Sequence, residues 1–270
     1  IGNALTSLKY RQRPLKLTDE ERSRLEAAVE QWIEHPVASE EEHLWAGSSL
    51  RQEVVGLQSI LPELDLSATA AEKLYSKALT LNRTSTPGFR LFAGVAKFLP
   101  EQIEDIAMSM RMGLASDEAA LADEAVMGLH VWLAAASEQA PLVPTPPNDL
   151  VREVGVIIAT RRKGTLSRAL QVARWIFSTG SGEQRDAVAQ LALQGLRYLA
   201  EETRYDRDHG KDGDVEIPLL RWACAHLAMA MSASGYDGDP TVRLWVEVAQ
   251  YDPLPEVRHV EEPNSVSRQK

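Results

Sequence analysis

The chain has 270 residues, 44% of them hydrophobic and 25% charged, a balance typical of a soluble globular protein with one large or two small cores. A formal net charge of −10 opposes contact with phosphate backbones and disfavours general nucleic-acid binding. The single cysteine, Cys224, excludes an intrachain disulfide and a cysteine-based zinc site, in agreement with a reducing cytoplasm.

Helix signals run along nearly the whole chain. Thr18–Glu21 is a capping box, in which the Thr hydroxyl and the Glu carboxylate each satisfy a backbone amide of the other, and an apolar helical face follows it. Ser39–Glu42 and Ser181–Gln184 repeat the same pattern. Three prolines stand where a first helical residue is expected: Pro100, Pro240 and Pro253. We therefore predict about eleven helices, and no segment alternates well enough to predict a strand.

The longest break in the helical pattern is PLVPTPPND, residues 141–149. Its prolines cannot continue a helix and favour a stiff, extended connector. We expect an N-terminal helical block over 1–140, a C-terminal block over 150–260 and a disordered tail over 261–270. The alternative is one long loop within a single stack of helices.

Two sets of internal similarities indicate repetition. Gly-Leu pairs recur in mid-helix at Gly56, Gly128 and Gly195, where glycine costs about 1 kcal/mol against alanine and therefore indicates close helix packing. VARWIF (172–177) and LLRWAC (219–224) are 47 residues apart (219 minus 172), a spacing typical of paired-helix repeats. The Gly-Leu spacings do not share this period, so chance matching in a chain rich in alanine and leucine is the alternative.

DPTVR (239–243) and DPLPEVR (252–258) each place an aspartate, a proline and Val-Arg at a helix start. This pattern resembles the second helix of HEAT and armadillo repeats, specifically over about 165–258. The resemblance implies an all-α fold of stacked antiparallel helix pairs, a HEAT-like α-solenoid, with a concave face that binds another macromolecule. It also implies structural roles, joining neighbouring repeats, for Asp239, Arg243, Asp252 and Arg258.

The internal basic cluster ATRRKGTLSR (159–168) is the first candidate site. Arg161, Arg162 and Lys163 precede a helix for which Thr165 is the expected cap, and exposed amides at that helix start favour a phosphate or an acidic segment. The further members of this basic surface are Arg152 and Arg168. The alternative is structural, because cations at the end of the preceding helix are stabilised by its dipole without any ligand.

The acidic segment 204–216 is the second candidate, as a cation site. Its carboxylates are the hard oxygen ligands that calcium prefers, and they are Asp206, Asp208, Asp212, Asp214 and Glu216. The EF-hand template fails here, because it would put Gly210 at a ligand position and Leu219 where the bidentate glutamate belongs. A solvated loop between helices is the favoured interpretation, so we predict no metal site.

Nucleotide-binding glycine loops, the nucleophile elbow and the kinase motifs are not found, so we predict neither a catalytic residue nor a cofactor. We see no secretory leader and no uninterrupted apolar run of membrane-spanning length, and we expect a cytoplasmic protein with no membrane contact. The favoured function is a non-catalytic interaction or scaffold module, a segment of a larger bacterial regulatory or defence protein. Its partner would be another protein or another domain of the same polypeptide.

Two other functions stay open. A HEAT-like nucleic-acid-binding protein, resembling the DNA glycosylases of that architecture or a sensor, would use the basic residues around 161–168 despite the acidic total. An all-α metal-dependent enzyme would use the acidic segment 204–216.

Overall fold

A computed structural model describes residues 17–34, 52–82, 88–208, 216–252 and 254–258, with backbone alone for 204–208, 216–217 and 255–256. Within these ranges the chain forms eleven helices of more than one turn, a final single turn and no strand, which confirms the prediction of an all-α protein with about eleven helices. The helices are α1 (Asp19–Glu34), α2 (52–60), α3 (Ala68–Asn82), α4 (Phe92–Phe98), α5 (Ile103–Leu114), α6 (Ala119–Glu138), α7 (Asn148–Ala159), α8 (Leu166–Thr179), α9 (Gly182–Asp208), α10 (Glu216–Met231), α11 (Pro240–Tyr251) and α12 (Pro255–Arg258).

The chain divides into two compact units, Ile1–Pro147 and Asn148–Lys270. The break falls inside the proline-rich stretch 141–149, and no helix covers 139–147. The proline spacing thus marks the place where one set of packed helices ends and the next begins.

Two of the predicted capping boxes form. The amide of Thr18 donates to Glu21 Oε2 over 2.9 Å, and the amide of Glu21 donates to Thr18 Oγ1 over 3.3 Å. Ser181 and Gln184 exchange the same two bonds, over 3.0 and 3.3 Å, at the start of α9. The box predicted at Ser39–Glu42 lies outside the described residues.

The prolines place two helix starts as predicted. Pro100 opens a 3₁₀ turn and Pro240 is the first residue of α11. Pro253, where a third start is predicted, lies outside the described residues, and the last helical turn begins at Pro255.

The first unit is organised around α6, which packs against α4, α5 and the 3₁₀ turn Gly88–Leu91. Phe89 lies over two glycines of neighbouring helices: a Cβ on Gly128 would meet Phe89 Cβ at 2.6 Å, and one on Gly113 would meet the ring at 2.2 Å. Trp132 is fully buried and donates its indole N–H to the carbonyl of Pro144 over 2.8 Å. The glycine at 128 therefore marks close packing, as predicted.

Helix α6 is also, among the described residues, the one helix long and apolar enough to cross a membrane by length and composition. Half of its most apolar window is buried against the rest of the unit. Its Glu124 is buried and pairs with Arg90, Oε2 to Nη2, over 2.8 Å. These contacts are those of a helix at the centre of a bundle.

In the second unit each helix packs on the one two places further along the chain. Helix α7 packs on α9, α9 on α11, and α8 on α10. The α7–α9 contact is close because glycines face it from both sides: a Cβ on Gly155 would meet Leu191 Cβ at 2.8 Å, and one on Gly195 would meet the Ile158 carbonyl oxygen at 2.5 Å. The prediction of close packing at Gly195 is confirmed.

We expect Gly195→Ala to destabilise the protein by roughly 1–3 kcal/mol, because the obstructing atom is a backbone oxygen that cannot rotate away. Gly182→Ala is the matched control, since nothing lies within 4 Å of its added Cβ. Urea unfolding followed by circular dichroism measures both variants. Equal stability of the Gly195 variant and wild type would show that α7 and α9 separate without cost.

Candidate functional site

The segment DPLPEVR contains the aspartate of a buried ion pair. Asp252 follows the last residue of α11 and is 1% exposed, and Arg221 of α10 is 2% exposed. Arg221 donates from Nε to Asp252 Oδ2 over 2.8 Å and from Nη2 to Oδ1 over 3.3 Å. This two-point geometry pairs the two charges and joins α10 to the end of α11.

Asp252 also shapes the turn that follows it. Its Oδ1 accepts the amide of Leu254 over 3.0 Å, and its carbonyl accepts Nη1 of Arg258 over 2.7 Å. Arg243 makes the matching bond in the earlier copy, from Nε to the carbonyl of Asp237 over 2.9 Å. Both arginines thus donate to the carbonyl six residues before them (243 minus 237, 258 minus 252).

The two aspartates of the DP segments differ in their contacts. Asp239 caps α11 by accepting the amide of Thr241 over 2.7 Å, whereas Asp252 pairs with Arg221. The bonds of Asp239 and Arg243 are local, whereas Asp252 joins α10 to the end of α11. The expected role of these residues and of Arg258 in joining neighbouring repeats stays a prediction.

A half-open pocket of about 450 Å³ lies against the Arg221–Asp252 pair, between α9 and α11. Its other lining residues are Ala200, Thr203, Leu244, Trp245, Glu247, Val248 and Tyr251. Trp245 is buried and fixes the distance between the two helices, because its indole N–H donates to the Leu196 carbonyl over 2.8 Å. We call this space the α9–α11 pocket.

Two large apolar side chains of the pocket face solvent. Tyr251 is 76% exposed and Leu244 is 44% exposed. The volume is within the range of small-molecule and side-chain binding sites in proteins. An exposed aromatic residue beside an aliphatic one, over a fixed floor, is an arrangement that favours contact with another apolar surface.

Glu247 supplies the uncompensated charge of the pocket. It lines the wall one helical turn from Tyr251, it is exposed, and it has no ion-pair partner among the residues whose side chains are described. The charges of Arg221 and Asp252 cancel at the floor. Among the lining side chains that the structure describes, Glu247 therefore carries the one charge without an ion-pair partner.

The predicted basic cluster is partly occupied by internal contacts. Arg161 has a φ of 52° and occupies the left-handed position that ends α7: its own amide donates to the Ile158 carbonyl, and the amide of Arg162 donates to the Ile157 carbonyl. The Arg161 guanidinium pairs with Glu202 of α9 and lies 5.1 Å from the Tyr198 ring centroid.

The other members of the cluster lie at different places on the second unit. Lys163 is exposed in the turn, and Arg162 and Arg168 are half-buried. Arg152 lies near the opposite end of α7, more than about 10 Å along the helix axis from the turn at 1.5 Å per residue. The structure therefore brings Arg161, Arg162 and Lys163 together and does not bring Arg152 to them.

The helix start beside this cluster differs from the prediction in one detail. Helix α8 begins at Leu166, directly after Thr165, as expected. The Thr165 side chain does not cap it, however: this residue is fully buried, and its hydroxyl donates to the Arg162 carbonyl over 3.3 Å.

The acidic segment 204–216 is less of a loop than predicted. Helix α9 continues to Asp208 and α10 begins at Glu216, so 204–208 and 216 are helical. Asp212 and Asp214 lie outside the described residues, as do the side chains of Asp206, Asp208 and Glu216. Among the side chains that are described, no group of three or more His, Cys, Asp or Glu residues is placed to hold a metal ion.

His226 is the most unusual titratable group of the second unit. It is 6% exposed, its ring centroid is 4.2 Å from that of Trp222, and its Nε2 has no hydrogen-bond partner among the described residues. Burial, with the nearby charge of Arg174, lowers the pKa of His226 to about 4. The imidazole is therefore neutral at physiological pH. Burial also raises the pKa of the Cys224 thiol, which leaves it unreactive.

The first unit has a much smaller apolar cleft of about 50 Å³ between α1 and α2. Trp32 lines it and donates its indole N–H to Glu53 over 3.0 Å. Lys77 covers the other side of the indole, with Nζ 4.0 Å from the ring centroid, and desolvation lowers its pKa. This cleft has room for a methyl or ethyl group, too little for a ligand.

The sequence reasoning missed the α9–α11 pocket, although two signals for it are present. Arg221 is the one charged residue in the apolar run 217–231, which is the pattern of a charge that needs a buried partner. Helix α11 also carries more apolar residues than one buried face accommodates: Val242, Trp245 and Ala249 are buried, while Leu244 and Tyr251 are exposed.

Comparisons of this chain with protein-family models, with curated proteins and with solved structures found no match.

We expect Asp252→Asn to lower the free energy of unfolding by roughly 3–5 kcal/mol, because it leaves the buried Arg221 charge uncompensated. The double variant Arg221→Met, Asp252→Leu recovers much of this loss, since neither charge is then buried. The exposed pair Arg24–Glu20 serves as control, and Glu20→Gln leaves stability unchanged. Urea unfolding measures all three variants. If Asp252→Asn and Glu20→Gln lowered the free energy of unfolding equally, the buried pair would be contradicted.

We expect the protein to lose stability on acidification partly through His226. The pKa of His226 is about 4 in the folded protein, against an ordinary value of 6.5. As the pH falls below 6.5, the unfolded chain therefore binds a proton before the folded chain does. The free energy of unfolding is then lowered progressively until the pH reaches about 4. Between about pH 7.5 and about pH 5 this amounts to roughly 2 kcal/mol. Over the same pH range, the free energy of unfolding of His226→Gln should fall by about that amount less than that of wild type. The same pH dependence in variant and wild type would contradict burial of the neutral ring.

Proposed function

We propose that the chain is a non-catalytic module that binds another protein, or another domain of the same polypeptide, through the α9–α11 pocket. The pocket itself is the observation that carries this proposal. It combines a fixed floor, a buried tryptophan and two exposed apolar side chains on one face of the second unit. Solvent-exposed aromatic and aliphatic groups over a pocket are typical of interaction sites.

The helix order of the second unit supports a HEAT-like architecture as part of the same proposal. Packing of α7 on α9 on α11, with α8 on α10, is the two-layer order that stacked helix pairs produce. The matching arginine-to-carbonyl bonds of Arg243 and Arg258 also support repetition. We further propose, as before, a segment of a larger bacterial regulatory or defence protein that acts in the cytoplasm without membrane contact.

Nucleic-acid binding through the basic cluster has less support. The Arg161 guanidinium is paired with Glu202, so a phosphate would have to displace a carboxylate. The net charge of −10 adds a long-range repulsion. Lys163 and the exposed Tyr198 ring under Arg161 are the features that favour it.

Affinity capture from lysate of the source organism tests the proposal. We expect a defined protein to be captured with and without nuclease, and to be reduced about tenfold or more by the double variant Leu244→Ala, Tyr251→Ala, because the two exposed apolar contacts are the anchors. Met112→Ala is the matched control, since Met112 is 71% exposed on the other unit and should leave capture unchanged.

Two results would contradict the proposal. Capture that the double variant leaves intact would exclude the α9–α11 pocket as the binding surface. Capture that disappears with nuclease would favour nucleic-acid binding, with Arg161 and Lys163 as the next residues to change.

A further inference from the structure

We infer that the α9–α11 pocket recognises a lysine or arginine side chain, presented beside an apolar residue by a helical segment of the partner protein. This inference rests on the proposed function and specifies its chemistry. The juxtaposition that carries it is the Glu247 carboxylate, which has no ion-pair partner among the described side chains, beside the exposed Tyr251 ring on one wall of the pocket.

The described charges of the pocket favour a cationic ligand. Among the lining residues whose side chains the structure describes, Arg221 is the one cation, and Asp252 pairs with it through two hydrogen bonds at the floor. Glu247 remains, and it has no ion-pair partner among the described side chains. An acidic ligand would therefore meet a carboxylate and no available compensation, whereas a basic one would complete a pair.

The spacing of the side chains on α11 suits a long basic side chain. Glu247 and Tyr251 are separated by one helical turn, so their side chains start about 5–6 Å apart on the same face of α11. A cation placed there contacts the carboxylate and an aromatic ring together, as cation–π recognition requires. Leu244 and Val248, on the same helix, offer an aliphatic wall for the stem of a long basic side chain.

The open, apolar wall of the pocket favours a cation carried by a partner helix over a small free amine. The pocket is half-open, and Tyr251 is 76% exposed, so a small free amine would leave most of the apolar wall in water. A partner helix supplies an apolar neighbour for Leu244 along with the basic group. The whole chain is strongly acidic, which favours a basic partner at long range as well.

The experiment uses the full chain and four probes: an amphipathic helical peptide with Leu and Arg one turn apart, the same peptide with Gln or with Glu in place of Arg, and free arginine amide. Binding is followed through the indole N–H signal of Trp245, which lines the pocket and is assigned from a Trp245→Phe variant. We expect saturable binding of the Arg peptide, at least about threefold weaker binding of the Gln peptide and none of the Glu peptide.

Variants of the protein separate the contributions. Glu247→Gln should remove the difference between the Arg and Gln peptides, and Tyr251→Ala should weaken the Arg peptide about threefold where Tyr251→Phe retains it. Glu201→Gln is the matched control, an exposed carboxylate of α9 outside the pocket lining. It should bind all peptides like wild type.

Three outcomes would overturn the inference: equal binding of the Arg and Gln peptides to wild type, no effect of Glu247→Gln, or free arginine amide binding as tightly as the peptide. The failures of the two proposals are distinguishable. Loss of the captured partner in Leu244→Ala, Tyr251→Ala but not in Glu247→Gln would leave the module function standing and remove the basic-residue recognition. Capture indifferent to both variants would exclude the α9–α11 pocket as the binding surface, and with it both proposals.

Discussion

A guanidinium group placed inside a helical bundle requires a partner of opposite charge, and the second unit is built around that requirement. Arg221 lies in the middle of a helix whose neighbours are apolar, and Asp252 reaches it from the end of the next helix with two oxygens. The pair thereby determines where α11 ends relative to α10, and the Leu254 and Arg258 bonds to Asp252 determine the turn that follows. Removing either charge would leave the other buried, which costs more than the pair contributes.

Close helix contact and separation alternate across the same unit. Between α7 and α9, Gly155 and Gly195 let the backbones approach until an additional methyl would collide. Between α9 and α11, the buried Trp245 lies at the contact and keeps the helices apart. The pocket exists because this tryptophan fills part of the space between the helices and leaves the rest open to solvent. Two glycines thus give a close interface between α7 and α9, whereas a tryptophan leaves an open pocket between α9 and α11.

The charges of the two candidate surfaces follow from their partners. At the end of α7, Arg161 adopts a left-handed backbone conformation, and its guanidinium pairs with Glu202 and lies near the Tyr198 ring, so one cation of the basic cluster is already engaged within the fold. At the pocket the relation is reversed: a segment without any charge run contains the carboxylate of Glu247, for which no described side chain provides compensation. Local charge counts therefore do not show which charges remain available, because pairing between helices decides it.

The sequence by itself determined the helices, their capped starts at Thr18 and Ser181, the break near Pro147 and the close contacts at Gly128 and Gly195, since each depends on hydrogen bonds or sterics within a few residues. It marked Arg221 as a charge in an apolar helix without showing its partner. Only the tertiary structure decided that Asp252 is that partner, that Arg161 is engaged by Glu202, and that Leu244, Glu247 and Tyr251 border one pocket. These relations join residues separated by up to 41 positions, and the packing of one helix on another, which local propensity does not encode, brings them together.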